Sequence, residues 1–385
     1  MNKTSFRNPA MFTLYALAAL YAYLQTGIGP AVPFLRQEFH FDYTMASLHA
    51  SAFAAGMVLA GLVAPRIMAH WGVRWSLWGG QLGLFAGFTA LVIAPNAWFT
   101  LSAIFVAALA GTTSVIAVQA SISLLAGERR SQALLEANIA TSLTSAVAPI
   151  VLLVGTGLAT GWRTLWPVFV VGLVAVFAFG FRALSQKLPQ RSVEEEHTDE
   201  KLPKAFFVAW LFIFVGVSVE WCLGFWATSY LKELPGHSDS VAVTGAIVFQ
   251  LSAVASRLIS SRLTRRVGET RMLLAAIVLA AIGFPLYWTL TSPVASIVGL
   301  GLCGMAVALF YPLGLSRAIG IAGAQAAKGS SYSTVGSGSA VLTAPLALGL
   351  MADQWGLSVA LLAVPVGLAA LLILLLVQRK PSSKL

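Results

Sequence analysis

The chain has 385 residues, of which 58% are hydrophobic and only 10% charged, with a mean hydropathy of +0.83 and a formal net charge of +10. A soluble domain averages roughly 25% charged residues, so this composition excludes an ordinary soluble enzyme. Apolar runs of about 20 residues recur from end to end, each long enough to cross a membrane and none alternating like a barrel strand.

A short basic start, with Lys3 and Arg7, leads into the first predicted span at 10–31. No small-residue cleavage site follows it, which predicts a retained span rather than a signal peptide. Further spans are predicted at 43–64, 74–94, 98–122, 133–157, 163–184, 205–230, 239–261, 271–290, 294–317, 329–350 and 356–378. The joints are short and carry turn residues, as in Ala94-Pro95-Asn96 and Thr291-Ser292-Pro293. One longer polar stretch, 185–204, holds Glu194-Glu195-Glu196 among several basic residues. It predicts a linker on the cytoplasmic side, separating a bundle at 1–184 from a bundle at 205–385.

An offset of 196 residues relates the two halves. It carries Arg66 and Gly72 onto Arg262 and Gly268, Ala148-Pro149 onto Ala344-Pro345, and Phe34-Leu35-Arg36 onto Tyr230-Leu231-Lys232. Parallel repeats in a very apolar chain are one way secondary transporters build a central site.

Basic residues concentrate on the inner side of transmembrane proteins. With the N-terminus inside, only Arg36, Arg163 and Lys232 fall at outer ends, and the other 21 of the 24 Lys and Arg fall at inner ends and loops. Twelve spans with both termini cytoplasmic follow from that split. The positive charge is then accounted for by orientation and contact with anionic lipid, without a nucleic-acid partner. Cys222 and Cys303 fall inside apolar runs and read as small buried hydrophobes.

Twelve spans, a parallel repeat, a polar central linker and basic inner loops together resemble the major facilitator superfamily, over essentially the whole chain. The resemblance implies an all-α polytopic membrane protein, with twelve transmembrane helices in two pseudo-symmetric six-helix bundles, usually a monomer. The family's signature between spans 2 and 3 is matched by Gly61, Arg66, Gly72 and Arg74, although Pro65 stands where the acid usually lies. Arg262, Arg266, Gly268 and Arg271 echo it in the second half, with Ser261 at the acidic position. The resemblance implies an inner-side gating role for these loops. In span 5, Ala148-Pro149 keeps the proline of the drug-antiporter motif but not its glycine pair.

Polar groups inside spans are costly and are candidates for function. The family architecture implies that spans 1, 4, 7 and 10 line the cavity. Glu220, in Val217-Ser218-Val219-Glu220-Trp221, has no Lys or Arg in its own segment between Lys204 and Lys232. A carboxylate without a local partner in low dielectric is costly to keep ionised, which suits a proton-coupling site. A structural hydrogen bond, or a cation from another helix, is the alternative role. The offset carries Gln25 onto Trp221, next to Glu220, and Tyr21 lies one turn before Gln25. Gln119 in span 4 and Tyr311 in span 10 complete the candidate substrate contacts.

Other polar groups read as structural. Glu136 and Asn138, near Arg129 and Arg130, suggest an inner ion pair or gate. Arg257 sits one turn inside Ser261 and can snorkel to the inner surface. His49 reads as hydrogen-bonded structure, and Trp226 as an outer interface anchor. With no Lys or Arg placed near mid-span, anionic substrates are disfavoured, and a neutral polar solute or a lipophilic cation fits an acid among aromatics. Three readings follow: a proton-coupled carrier of a small organic solute, a multidrug proton antiporter, or a transporter-like sensor that moves nothing. No nucleophile–base set, nucleotide loop or metal-ligand spacing marks an enzyme, a cofactor site or a metal centre. Short loops point to a bacterial inner membrane.

Overall fold

The computed structural model of the protein describes residues 8–185 and 202–378, so the predicted linker lies almost entirely outside the described residues. Every regular element among the described residues is helical. The first half contains α1 (Pro9–Phe39), α2 (Tyr43–Trp71), α3 (Val73–Val92), α4 (Ala97–Ala126), α5 (Arg130–Thr156) and α6 (Leu165–Ser185). The second contains α7 (Lys204–Glu233), α8 (Asp239–Val267), α9 (Glu269–Thr289), α10 (Pro293–Val307), α11 (Phe310–Ala322), α12 (Ala326–Trp355), α13 (Leu357–Ala360) and α14 (Ala363–Val377). Eleven helical stretches among the described residues are long and apolar enough to cross a membrane, α10 with α11 counting as one and α13 with α14 as another. The twelfth predicted span is α3, whose Arg74, Ser76 and Gln81 dilute its apolar character. Its repeat mate α9 is among the eleven.

The offset read from the sequence governs the helix ends. Residues 43–71 of α2 become 239–267, the bounds of α8, and residues 97–126 of α4 become 293–322, the outer bounds of α10 and α11. Gly72 and Gly268 both precede a helix, with φ of 84° and 86°. That left-handed region is steeply unfavourable for residues with a Cβ, which explains why glycine stands at both positions.

One asymmetry matters for function. Residues 97–126 form a single helix, whereas its counterpart is interrupted at Ala308 and Leu309. Pro312 causes the break, because it has no N–H to give to the carbonyl of Ala308. Ile116 holds the equivalent position in α4. Discontinuous helices at binding sites are a recurrent transporter device.

Packing divides the chain into two compact units, Met1–Phe34 with Ala52–Glu194, and Leu35–Ser51 with Glu195–Leu385. In the first unit, α3 lies tightly along α4 because Gly80, Gly83 and Gly87 face it. A Cβ on Gly80 would stand 2.6 Å from the carbonyl oxygen of Ala110, and one on Gly87 would stand 2.6 Å from the backbone nitrogen of Ala107. Small residues let helices approach closely where lipid supplies no hydrophobic drive. The buried core beside them includes Met11, Leu14, Leu17, Leu77, Val118 and Ile122.

In the second unit the same device joins α9 to α10 through Gly283 and Gly299, and α10 to α8 through Gly304. This unit also contains residues 35–51, the elbow between α1 and α2, which the sequence boundaries place in the first bundle. Asp353, near the end of α12, accepts the backbone N–H groups of Tyr43 and Thr44, each at 2.8 Å, and the Thr44 hydroxyl. Asp42 accepts the N–H of Met45 at 2.7 Å. Two aspartates thus satisfy orphan donors of α2 and complement its dipole. Arg36 lies 3.5 Å from Glu233 and stacks over the Tyr43 ring, whose hydroxyl also reaches Glu233.

Candidate functional site

Glu220 lies thirteen residues before the end of α7, roughly 20 Å along the helix. Its carboxylate is 3.3 Å from Nη2 of Arg257 on α8. A cation from a neighbouring helix therefore partners Glu220, the alternative left open by the sequence. The expectation of no cation near mid-span is corrected here. Helix α8 runs to Val267, beyond the predicted end at 261, so Arg257 stands ten residues, roughly 15 Å, inside the helix end. The guanidinium reaches the carboxylate from a position near the predicted end of the span.

The pair is not sealed. The Arg257 side chain is 42% exposed and that of Glu220 is 23% exposed. A guanidinium exposed to hydrocarbon would be costly, which favours a polar setting for it.

Local packing brings a third polar group to the pair. Gly216 lies one turn before Glu220, and a Cβ there would stand 2.8 Å from the Cβ of Phe310. The glycine lets the start of α11 press against α7, just past the break made by Pro312. Tyr311, on that first turn, lies near Glu220 and beside Ser337 and Thr334 of α12. Toward the N-terminal end of α7, Trp210 stacks on Phe214 with ring centres 6.0 Å apart, and its Nε1 donates to the carbonyl of Tyr332 at 2.8 Å. Gly336 lies beneath that indole. Trp221 is half-buried.

The remaining substrate candidates belong to the first unit. Tyr21 is buried, with its hydroxyl 2.7 Å from Thr112 Oγ1 and its ring stacked on Phe53 at 5.8 Å. Gly111 makes room for that ring, since a Cβ there would come within 2.5 Å of it. Gln25 is half-buried, and Gln119 is exposed on α4.

Among the inner-loop positions, Arg74 stacks over Phe181, 5.1 Å from the ring centre. Arg66 is exposed, and a Cβ on Gly61 would meet nothing within 4 Å. The Arg262 side chain lies outside the described residues, while Gly268 turns the chain into α9. Glu136 accepts hydrogen bonds from Tyr15 and Gln132, each at 3.3 Å. His49 is fully buried, bonded to the carbonyl of Met45 at 2.8 Å and stacked on Phe41. Trp226 is also fully buried, against Tyr43 and Phe225, rather than placed at an interface.

Comparison with known proteins fits this architecture. The sequence profile of the Major Facilitator Superfamily matches residues 14–318 and 210–385. An uncharacterized MFS-type transporter of Yersinia pestis is 31% identical over 151 residues, 39% of this chain and 38% of that relative. The nucleoside transporter NupG superposes with a TM-score of 0.76 at 14% identity, covering 96% of this chain and 100% of its own. A bacterial homologue of the lysosomal transporter Spinster gives 0.73 at 14% identity, covering 98% of each chain. The peptide transporter POT gives 0.75 at 13% identity, covering 95% of this chain and 93% of its own. At these identities the superpositions establish the shared fold.

Proposed function

This chain belongs to the Major Facilitator Superfamily, and we propose that it moves a small organic solute across the membrane by alternating access, driven by protons that Glu220 takes up and releases. The observation that carries this reading is the Glu220–Arg257 pair, held at 3.3 Å deep within the helices and still partly exposed. A carboxylate that has a cationic partner, yet remains partly exposed, is placed to alternate between ionised and protonated forms. Trp221, Tyr311, Tyr21, Gln25 and Gln119 are the proposed solute contacts. The inner-loop residues Gly61, Arg66, Gly72, Arg74, Arg262 and Gly268 would shape the gate. The boundaries 1–184, 185–204 and 205–385 describe the two repeats and their linker, with both termini in the cytoplasm, the chain a monomer in the bacterial inner membrane, surrounded by lipid. NupG and POT are by name carriers of nucleosides and peptides, which agrees with a polar organic solute.

A second reading, a multidrug proton antiporter for lipophilic cations, is favoured by the stacked Trp210 and Phe214 on the same helix as an acid. Cation–π contact suits such solutes.

Proteoliposomes holding the purified protein and an internal pH indicator test the proposal against neutral solutes, lipophilic cations and organic acids. At least one solute should move protons with wild type and none with Glu220→Gln. Wild-type proton movement in the variant would overturn the role given to Glu220.

A further inference from the structure

We propose that the transported solute carries one carboxylate, which Arg257 receives in the place that Glu220 leaves when it takes up a proton. The proposal rests on the transporter reading above and names its substrate class.

The argument begins with what surrounds the pair. Helices α7, α8, α10, α11, α12 and α14 form its setting. Helices α10 and α14 carry no charged residue. On α12 the charges, Lys328 and Asp353, stand near opposite ends, and on α11 Arg317 lies beyond Tyr311 toward the inner end. On α8 the other charges are Asp239 at the outer end and Arg262, Arg265 and Arg266 at the inner end. At the depth of Glu220, Arg257 is therefore the single cation on these helices, and it is the charged group that meets the carboxylate.

Charge counting then fixes what can enter. With Glu220 ionised, the pair is neutral. Protonation alone would leave the guanidinium without a counter-charge among the helices, which is unfavourable for a group only partly open. A substrate anion alone would set two carboxylates against one guanidinium, which repel. When a proton and a monoanion arrive together, the site stays neutral throughout. The proton bonds to Glu220 Oε1, and the hydrogen bond from Arg257 Nη2 to that oxygen breaks. Arg257 then donates to the incoming carboxylate, in the paired geometry that guanidinium favours. A phosphate dianion or a dicarboxylate would leave one negative charge uncompensated.

Thermal stabilisation of the purified full chain tests this, because a ligand bound to the native state raises its stability. The probes are matched acids and amides: benzoate with benzamide, nicotinate with nicotinamide, and lactate with lactamide. Glu220→Gln imitates the protonated acid and frees the guanidinium. At least one acid should bind this variant about tenfold more tightly than wild type at neutral pH, the scale of one charge-assisted hydrogen bond. Wild type should approach the variant as pH falls, while the variant stays constant. Arg257→Gln should abolish acid binding. If it fails to fold, Arg257→Lys keeps the charge but loses the fork, and should bind more weakly.

Equal binding of acid and amide, acid binding that survives in a folded Arg257→Gln, or no stabilisation of Glu220→Gln by any of the acids would overturn the proposal. The liposome assay separates the two ideas. Proton movement driven only by neutral or cationic solutes, yet dependent on Glu220, leaves the transporter reading standing and removes the carboxylate. Wild-type proton movement in Glu220→Gln removes the reading itself.

Discussion

Gly127 and Gly323 lie 196 residues apart and hold nearly the same backbone, with φ 54° and ψ −121° in one and φ 55° and ψ −118° in the other. Each closes a long helical stretch and opens a single 3-10 turn, Gly127–Arg129 and Gly323–Gln325. Only glycine adopts this conformation without strain. Gly127→Ala and Gly323→Ala should each lower stability by about 1–3 kcal/mol. Thermal unfolding of the detergent-purified protein reads the loss, and unchanged midpoints would contradict the shared geometry.

Asp353 offers a second test. It satisfies the N–H groups of Tyr43 and Thr44 at the start of α2. Asp353→Ala removes those acceptors and should cost about 1–2 kcal/mol, the upper range for a lost helix cap. Asp353→Asn keeps one acceptor oxygen and loses the charge, so its midpoint should fall between wild type and Asp353→Ala.

Two glycines in neighbouring helices should respond in opposite directions. A Cβ on Gly304 would stand 2.4 Å from the carbonyl oxygen of Phe249, so Gly304→Ala forces α10 away from α8. A loss of about 1–3 kcal/mol is expected from such overpacking. Gly320, exposed in α11, has nothing within 4 Å of its Cβ position. Gly320→Ala should leave packing intact and add about 0.5–1 kcal/mol by stiffening the helix. Both are read from unfolding midpoints.

Pro312 sets the break between α10 and α11. Replacing it by the residue of its repeat mate, Pro312→Ile, restores the N–H that the carbonyl of Ala308 lacks. A helix-interior proline costs about 3 kcal/mol, so the variant should form a continuous helix. Amide hydrogen exchange across 308–313 should slow. Solute-driven proton movement should fall, because Tyr311 loses the turn that sets it against α7.

The repeat was legible because glycine at positive φ and arginine at helix ends are demanded locally, whichever helices surround them. That is why Gly72 with Gly268, and Arg66 with Arg262, align at one spacing. Glu220 stood out for a similar local reason, as an acid far from any basic residue of its own segment. Its partner did not. Arg257 was hidden by the basic run behind it, which set the predicted span end six residues before α8 finishes. The break at Pro312 was missed, since the predicted span 294–317 runs straight through that proline. The elbow at 35–51 was beyond reach, because its association with Asp353 joins residues over 300 positions apart.

That elbow has a consequence for how the molecule is made. Residues 35–51 are synthesised well before the helices they belong with. Until α12 is inserted, the amides of Tyr43 and Thr44 lack Asp353, and the hydroxyl of Ser51 lacks the carbonyl of Leu342 that it otherwise bonds at 2.8 Å. Insertion order and packing order therefore differ, and the joint between α1 and α2 is finished only once α12 has been made.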